Sequence, residues 1–431
     1  MTNAKARSSK GVKSRIPVWL RSCGGVLLLG ILILILGYPA LIGALGGAWS
    51  KTDGDWQASL SPAAKELLQL AYADLDSTRL VDVHVHLAGI GSGGSGCEVH
   101  PNMLSWSSPR AHVRFELYLS ASGVENLERA DQEFVERLTQ LIASAPGAGR
   151  FGLMAFDHAY HEDGSVNLEH SEFYVPNEWV WQTCQIDPQR LLPVISVHPY
   201  RRDALQELER WAAKGARLVK WLPNAMGIDP ASSLCDEFYA KMVELDLTLL
   251  THTGLELAVE ATELQALGNP LRLRRALDRG VRVIAAHCAS LGDDLDLDQP
   301  AANRPRLSSF ELFLRLMGEP KYDGLLFGEI SAVTLVNRLD EPLRVLLERK
   351  DLHARLVNGS DYPLPTLNAV IHLRPLVNKG FLTEDQAEAL REIYDKHPLV
   401  FDLVLKRTLR SPTTGEGFAP EVFLSAPSMG F

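Results

Sequence analysis

Short apolar runs alternate with longer amphipathic segments between residues 80 and 400 of the chain. Runs of four to eight apolar residues are typical of buried strands, whereas apolar residues that recur every three or four positions are typical of helices. Strands that alternate with helices form parallel sheets joined by crossover helices. The pattern predicts eight strands, at residues 80–86, 152–157, 192–198, 217–222, 247–252, 281–287, 325–330 and 354–361.

Eight such units predict an α/β fold, a (β/α)8 TIM barrel that spans residues 80–405. The segments after the first, second and sixth predicted strands are long, and cover residues 87–115, 158–180 and 288–307. Loops at the carboxyl ends of barrel strands build active sites, so we expect the functional groups there. Residues 50–79 are predicted to form a linker and one packing helix, and residues 406–431 an irregular tail.

The amino-terminal region has a different pattern, because residues 22–50 contain no charged side chain and are apolar on every face. About 20 apolar residues at a rise of 1.5 Å span a hydrocarbon core, so residues 23–49 are predicted to form a transmembrane helix. A basic arm, residues 1–22, precedes it, and basic residues stay on the cytoplasmic side of a membrane. The body of the chain is therefore expected in the periplasm or outside the cell.

A cleaved signal peptide is the alternative for this segment, with small residues near 44–48 as the cleavage site. The apolar regions of signal peptides are typically about 7–15 residues long, which is shorter than this run. The length of the run therefore favours an anchor over a cleaved signal.

Composition and charge indicate a globular body and argue against one class of function. The 431 residues are 46% hydrophobic and 22% charged, which is enough apolar material for a full core. The net charge is −10, and because residues 1–50 hold six basic and no acidic side chains, the remainder carries −16. An acidic body lacks the basic face that nucleic-acid binding requires. The five cysteines include no C-x-x-C pair, and buried thiols are favoured over a bridge such as Cys97–Cys184.

Histidine and aspartate residues stand at the carboxyl ends of four predicted strands. The first strand ends in a D-x-H-x-H motif, and alternation along a strand points His84 and His86 to one face, the barrel interior. The fifth, sixth and eighth strands end at His252, His287 and Asp361. One such histidine alone is more often a packed core residue, but four of them with an aspartate form the ligand set that suits zinc, iron or manganese. The sequence therefore predicts a metal site.

Two further motifs accompany these residues, the approach Gly-Ala-Arg-Leu-Val-Lys at 215–220 and the sequence Gly-Ser-Asp-Tyr-Pro at 359–363. Together with the D-x-H-x-H motif and the strand-end histidines, they resemble the amidohydrolase superfamily, particularly the branch that contains aminocarboxymuconate semialdehyde decarboxylase and related hydrolases. The likeness spans residues 80 to about 400. The combination is far more specific than any single motif.

The resemblance implies that His84, His86 and His252 bind one divalent metal, with Asp361 on it or near it as the base that handles the proton of the water. His287 would polarise or protonate the substrate. The underlying chemistry is general: a bound metal lowers the pKa of water towards 7, a carboxylate accepts its proton, and an imidazole stabilises the developing oxyanion. Zinc is the expected metal.

Lys220 ends the fourth predicted strand, where binuclear relatives carry a carboxylated lysine that bridges two metals. A buried lysine needs a reason, because desolvating its charge is costly. The carbamate would provide one, with His252 and His287 on the second metal. An ion pair to a carboxylate or to the substrate is the alternative. We therefore expect one metal ion, or two if Lys220 is carboxylated.

Substrate contacts are predicted for basic side chains in or near the loops at the catalytic end, namely His198, Arg110, Arg114 and His158. A solvated loop charge or a turn residue is the alternative for each. The expected function is hydrolysis of an amide, lactone or ester bond in a small molecule by metal-activated water. The alternatives are non-oxidative decarboxylation of a carboxylated small molecule and a catalytically silent, membrane-tethered binding barrel. The partners would be the substrate and the membrane, and a homo-oligomer is compatible with the sequence.

Three other patterns are not assigned to chemistry. The glycine pattern G-x-G-x-x-G at 89–94 follows a strand but opens no helix, so it predicts a flexible lid or entrance loop rather than a dinucleotide site. The aspartates at 293–298 lack the glycine and glutamate of a calcium loop. The G-x-S-x-G motif of many serine hydrolases does not occur.

Overall fold

The computed structural model describes residues 37–47, 55–147, 149–339 and 341–425. The predicted basic arm 1–22 and residues 23–36, 48 and 49 of the predicted transmembrane helix lie outside these ranges. Residues 37–46 are helical. Within the described ranges, no helix is both long enough and apolar enough to cross a bilayer.

Eight parallel strands form one sheet in which spatial neighbours follow chain order. The strands are β1 Val81–His86, β2 Arg150–Met154, β3 Leu191–Ile195, β4 Leu218–Trp221, β5 Thr248–His252, β6 Arg282–Ala286, β7 Leu326–Glu329 and β8 Leu356–Val357. Backbone hydrogen bonds join the two edges: Val83 N donates to Asn358 O at 3.1 Å, and Asp361 N donates to His84 O at 2.7 Å. The sheet therefore curves into the predicted barrel, and each strand overlaps one of the eight predicted runs.

Helices surround this barrel and occupy the loops at its carboxyl end. Their bounds are α1 Pro62–Tyr72, α2 Pro109–Ser122, α3 Ala130–Ser144, α4 Asn177–Cys184, α5 Ala204–Ala213, α6 Pro223–Met226, α7 Asp236–Glu244, α8 Arg274–Leu277, α9 Ser309–Met317, α10 Glu341–Glu348, α11 Leu373–Asn378, α12 Glu384–Lys396 and α13 Pro398–Thr408. Local signals determine several helix starts. Ser61 accepts a hydrogen bond from Ala64 N at the start of α1, and Thr383 forms a capping box with Gln386 at the start of α12.

Two short antiparallel pairs lie in the long loops. Glu98–Val99, after β1, pairs with Phe173–Tyr174, after β2. Asp293–Leu295 pairs with Arg306–Ser308 within the segment between β6 and α9. These pairs give local order to the segments for which the sequence predicts active-site loops.

Apolar side chains from all eight strands fill the barrel interior. They are Val81, Val83, Met154, Val194, Leu218, Leu250, Ile284, Ala286, Phe327 and Val357. The residue before Leu250, Leu249, belongs instead to the larger core between strands and helices, as the two-residue period of a strand requires. The four cysteines of the described ranges are buried free thiols: Cys97, Cys184, Cys235 and Cys288.

Strand β1 departs from this alternation close to its carboxyl end. Val83 belongs to the inner cluster, but Val85 belongs to the outer core. The register of β1 against β2 shifts between Asp82 and Val85. Irregularities of this kind turn side chains to a different face. Here the shift directs His84 and His86, instead of Val85, towards the interior.

The chain after α13 packs against the barrel beside β1 and β8. Asn358 N donates to Val422 O at 2.8 Å, and Ser425 N donates to Arg79 O at 2.7 Å. Phe423 is fully buried there. The carboxyl-terminal segment therefore covers the barrel near the start of β1, away from the strand-end histidines.

A buried ion pair supports the residues that follow β8. Lys406 Nζ, on α13, donates to Asp402 Oδ2 at 2.6 Å and to Gly359 O at 2.6 Å. Burial raises the pKa of Asp402 to about 6, although the Lys406 charge opposes this rise. Because Gly359 is two residues from Asp361, the ammonium group fixes the backbone from which the Asp361 carboxylate extends.

Replacing Lys406 by Met is expected to lower the free energy of unfolding by about 3–5 kcal/mol, because it leaves a buried carboxyl group without its partner. Lys350 forms an ion pair with Glu416 at the surface. Lys350→Met should therefore lower the free energy of unfolding by less than about 1 kcal/mol. Denaturant unfolding of both variants measures the difference. Equal losses in the two variants would contradict the structural importance of the buried pair.

Candidate metal centre

Four imidazoles and one carboxylate converge at the carboxyl end of the barrel. His84 and His86 are among the last three residues of β1, His252 ends β5, His287 directly follows β6, and Asp361 follows β8. The ring centroid of His84 lies 5.3 Å from that of His86 and 5.2 Å from that of His287. The His252 and His287 rings are 5.1 Å apart. The structure thus brings together the four histidines and the aspartate for which the sequence predicts ligand or catalytic roles.

Asp361 faces three of these imidazoles. Its Oδ1 lies 3.1 Å from His86 Nε2 and 3.2 Å from His84 Nε2, and its Oδ2 lies 4.0 Å from His287 Nε2. Burial acts to raise the pKa of Asp361, but the facing imidazoles of His84 and His86 and the Lys220 ammonium outweigh burial and lower the pKa below its usual range. The carboxylate is therefore ionised at neutral pH.

His287 begins a turn in an unusual backbone conformation. His287, Cys288 and Ala289 have φ angles of 58°, 50° and 48°. For residues other than glycine, this left-handed region costs roughly 1–2 kcal/mol per residue. Hydrogen bonds maintain the turn, since His287 N donates to Glu329 Oε2 at 3.2 Å and His287 Nδ1 lies 2.8 Å from Ser331 Oγ. Strain of this kind concentrates at functional sites, where the surrounding contacts enforce it.

Lys220, in β4, points its ammonium group into the same cluster. Its Nζ lies 3.1 Å from His84 Nε2, and the side chain is 1% exposed. Burial lowers the pKa of Lys220 to about 8, against the attraction of Asp361 and Glu329. An amine with a lowered pKa is a better nucleophile near neutral pH. Both interpretations from the sequence, a carbamate and an ion pair, require the lysine at this position.

Glu329, at the end of β7, belongs to the cluster although the sequence analysis did not select it. Its Oε2 lies 3.0 Å from His84 Nδ1 and accepts a hydrogen bond from Ser331 Oγ at 2.7 Å. The signal was present in the sequence: an acidic residue in an otherwise apolar, buried strand is costly unless it has a partner. A carboxylate partner on Nδ1 orients the imidazole and puts the lone pair of His84 on Nε2, the nitrogen that can bind a metal.

Glu256, in the loop after β5, is a second buried acid that the sequence analysis did not select. It accepts hydrogen bonds from Ala258 N at 2.5 Å and Val259 N at 3.2 Å. Its Oε2 lies 3.2 Å from His252 Nδ1, but the geometry is not that of a hydrogen bond. It lies in a loop four residues after the end of β5, and no strand or helix period marks it in the sequence.

His252 has no hydrogen-bond partner on either ring nitrogen within the described ranges, although it is buried. Buried polar atoms without a partner are rare in folded proteins and need an explanation such as a bound ion. Burial and the Lys220 charge lower the pKa of His252 to about 3, and burial lowers the pKa of His84 and His287 well below the usual range. The three imidazoles are therefore neutral, the form that binds a metal.

Two groups of these side chains have the geometry of a metal site. His84, His86 and Asp361 each offer one ligand atom, all within 4.8 Å of one another, and His84, His287 and Glu329 form a second such group. Imidazole nitrogen and carboxylate oxygen suit zinc, manganese and iron. The donor set and the unpartnered nitrogens of His252 fit a divalent metal, and do not distinguish among these ions.

A cavity of about 1130 Å³, partly open to solvent, lies above this cluster. Helix α2 and the loops after β1, β2, β5 and β8 surround it. The glycine-rich segment 89–94, predicted as an entrance loop, lines it through Gly89 and Ile90. Asp131 secures this loop by accepting hydrogen bonds from Ile90 N at 2.7 Å and Gly91 N at 3.0 Å.

None of the four side chains predicted to contact substrate is among the residues that line the cavity. His198 is buried, with Nε2 3.0 Å from Met226 O and Nδ1 accepting from Tyr200 N, so the backbone occupies both of its nitrogens. Arg114 forms an ion pair with Glu172, and Arg110 is exposed in the first turn of α2.

The remaining predicted side chain, His158, stacks on the Tyr174 ring at a centroid distance of 4.0 Å. The structure therefore places Arg110 in solvent and gives His198, Arg114 and His158 partners within the protein.

A family model described as amidohydrolase matches residues 81–395. An uncharacterised TIM-barrel protein from Bordetella bronchiseptica is 13% identical, with a TM-score of 0.44 over 75% of this chain and 99% of that chain. The 5-carboxyvanillate decarboxylase of Sphingomonas paucimobilis is 13% identical, with a TM-score of 0.38 over 74% and 96% of the chains. The N-isopropylammelide isopropylaminohydrolase of Burkholderia multivorans is 14% identical, with a TM-score of 0.36 over 80% and 77%. No curated protein matches the chain.

Replacing Glu329 by Gln is expected to weaken metal binding roughly 10–100-fold, because His84 loses the carboxylate that orients it. Competition with a chelator of known affinity measures the change. Glu311 is exposed on α9, so Glu311→Gln provides a matched control and should bind metal like the unmodified protein. Unchanged affinity in the Glu329 variant would contradict its orienting role.

Proposed function

The chain belongs to the amidohydrolase family, and on this premise we propose that it is a metal-dependent hydrolase of a small molecule. The bond cleaved would be that of an amide, a lactone or an ester. One observation carries the proposal: the Asp361 carboxylate lies 3.1–3.2 Å from the imidazoles of His86 and His84 at the floor of a cavity that can admit a small molecule.

His84, His86 and His252 would hold the metal together with Asp361. When bound, a divalent metal supplies a nucleophilic water near neutral pH. Zinc remains our proposal for the ion. Lys220 would either bridge to a second metal as a carbamate or remain an ammonium group that holds Asp361 in its charged form.

Asp361 is the proposed proton acceptor. Its pKa lies below the usual range of a carboxyl group, so it is available as a base at neutral pH. Oδ1 faces His84 and His86, whereas Oδ2 faces His287 Nε2 at 4.0 Å. A proton taken up on Oδ2 is therefore close to a second acceptor, the His287 imidazole.

The side chain of His287 is set in one tautomer by its neighbours. Ser331 Oγ donates to Glu329 Oε2 at 2.7 Å, so Ser331 must accept from His287 Nδ1, which lies 2.8 Å away. The lone pair of His287 is then on Nε2, towards Asp361 and the cavity. We propose that this nitrogen relays a proton to the leaving group, or binds a second metal if Lys220 forms the bridge.

Replacing Asp361 by Asn is expected to reduce turnover roughly 10²–10⁴-fold, the usual contribution of a general base. Metal should remain largely bound, because the three imidazoles are still present. Turnover of a panel of amides, lactones and esters, with metal analysis of the same samples, measures both effects. Asp293→Asn, at an exposed position after β6, is the control. Unchanged turnover in the Asp361 variant would exclude its role as the base.

The same panel, extended by carboxylated aromatics, separates the alternatives. Carbon dioxide released from carboxylated aromatics, without any hydrolysis product, would indicate decarboxylation instead. Metal binding without turnover of any compound would favour the catalytically silent barrel.

We also propose that the uncharged run 22–50 anchors the enzyme in a membrane, with the barrel in the periplasm or outside the cell. The supporting observations are the basic arm before this run and the lack of charged side chains within it. The part of the run that the structure describes contacts the barrel. Ala369 N donates to Leu45 O at 2.8 Å, and Ser120 Oγ, on α2, donates to Gly47 O at 2.9 Å. Residues 37–47 therefore lie against the barrel beside the cavity.

A reporter fused to the carboxyl terminus is expected to be active only outside the cytoplasm, since the basic arm should remain inside. The full-length fusion should stay in the membrane fraction after alkaline extraction, and a form lacking residues 1–36 should not. Activity of the reporter in the cytoplasm would overturn the orientation. A mature protein that has lost its first 44–48 residues would show a cleaved signal peptide instead.

A further inference from the structure

We infer that the cavity takes an uncharged substrate with a long apolar body, such as the ester or amide of a medium-chain acyl group, an inference that rests on the proposed hydrolase function. The reason is the contrast between the two ends of the cavity. Its floor holds the histidines, Asp361 and Lys220, whereas its walls are almost entirely hydrocarbon.

Aromatic and aliphatic side chains from four separate segments form these walls. The principal ones are Ile90, Phe115, Leu119, Phe156, Phe173 and Val259. Phe115 and Leu119 are one turn apart on α2, so one face of this helix is presented to the cavity. An apolar wall of this extent favours a ligand whose own surface is apolar, because burial of hydrocarbon drives the binding.

The polar groups of the walls are already engaged by the protein. Tyr118 donates its hydroxyl to Ala258 O at 2.7 Å. Glu172 is paired with Arg114, and accepts a hydrogen bond from Glu260 N at 2.5 Å. Glu256, closer to the floor, accepts two backbone hydrogen bonds from its own loop. The walls therefore offer few free hydrogen-bonding groups to a polar substrate.

Cations are also missing from the walls. In the part of the chain that the structure describes, Lys220 is the only lysine or arginine that lines the cavity. It lies at the floor beside His84. A substrate with a carboxylate remote from the reacting bond would leave that charge desolvated and unpaired, which is costly. The cavity thus selects against substrates with a carboxylate remote from the reacting bond and in favour of neutral esters, amides and lactones.

The size of the cavity determines the length of acyl chain that the ligand can have. Its space of about 1130 Å³ includes a part that is open to solvent. A short acyl group such as acetate would contact only the floor. A chain of several methylenes would continue along α2 and the Phe156 and Phe173 rings.

The surface beside the cavity continues this apolar character. Leu104 directly follows the lining residue Met103 and is 53% exposed. Leu257 lies between the lining residues Glu256 and Ala258 and is 61% exposed. Trp106 is 57% exposed and lies 5.5 Å from the Tyr38 ring of the amino-terminal segment. Exposed apolar groups at this position would guide an apolar molecule towards the opening.

Hydrolysis of p-nitrophenyl esters from acetate to dodecanoate by the full-length, metal-loaded protein tests the inference. We expect kcat/KM to rise about threefold to fourfold for each added methylene until the cavity is filled, as expected when each buried methylene contributes about 0.8 kcal/mol. The matched ester with a terminal carboxylate on the acyl chain should react at least 100-fold more slowly. A preference for acetate, or equal turnover of the carboxylated ester, would overturn the inference.

Variants at Leu119 connect this preference to the cavity. Leu119→Trp is expected to lower the ratio of long-chain to short-chain turnover at least tenfold, because the larger side chain shortens the cavity. Leu119→Glu should lower the same ratio by placing a charge in the wall. Leu127 is exposed and does not line the cavity, so Leu127→Glu should leave the ratio unchanged. An unchanged ratio in both Leu119 variants, with unaltered circular dichroism, would overturn the inference.

Binding of the uncharged dye Nile red separates this inference from the proposed function. We expect saturable binding that persists after the metal is chelated, and we expect decanol but not decanedioate to displace the dye. This result would support the apolar cavity even if no ester were cleaved, and in that case only the hydrolase proposal would fail. Ester cleavage without dye binding and without any dependence on chain length would overturn the inference while leaving the hydrolase proposal intact.

Discussion

The hydrogen bonds that close the barrel between β1 and the residues after β8 determine the geometry of the site. Asp361 N donates to the carbonyl of His84, so residues almost 280 positions apart in the chain share one backbone contact. The same contact places the Asp361 carboxylate within 3.2 Å of the His84 imidazole. The floor of the cavity is therefore not an arrangement of independent loops. It is the place where β1 joins the residues after β8, and the ion pair between Lys406 and Asp402 supports the backbone there.

Much of the fold and part of the site could be predicted from residue patterns alone. The strand-end positions of His252, His287 and Asp361 follow from apolar runs of fixed length, and parallel strands bring their carboxyl ends together in any closed barrel. Alternation did predict a common face for His84 and His86. It did not predict the register shift in β1, because Val83 also points inward and the break in phase depends on pairing with β2.

Other residues could not be predicted from the sequence because tertiary contacts determine their positions. Glu256 lies in a loop whose path is set by contacts with Ala258 and Val259, and no local period marks it. His198 stands at a predicted strand end like the other histidines, but its ring meets the Met226 carbonyl instead of the cavity. Sequence patterns identify the end of the barrel at which a side chain lies. They do not identify the backbone group that a neighbouring loop presents to it.

Helix α2 serves two neighbours at once, since Phe115 and Leu119 face the cavity while Glu116 and Ser120 contact the segment at 37–47. Substitutions on this helix must therefore preserve both the cavity wall and the contacts with segment 37–47, so few residue types should be tolerated there. The Phe156 and Phe173 side of the cavity has no contact with that segment among the bonds described above. Selectivity could diverge there, during evolution or in a designed library, without disturbing the attachment of the barrel.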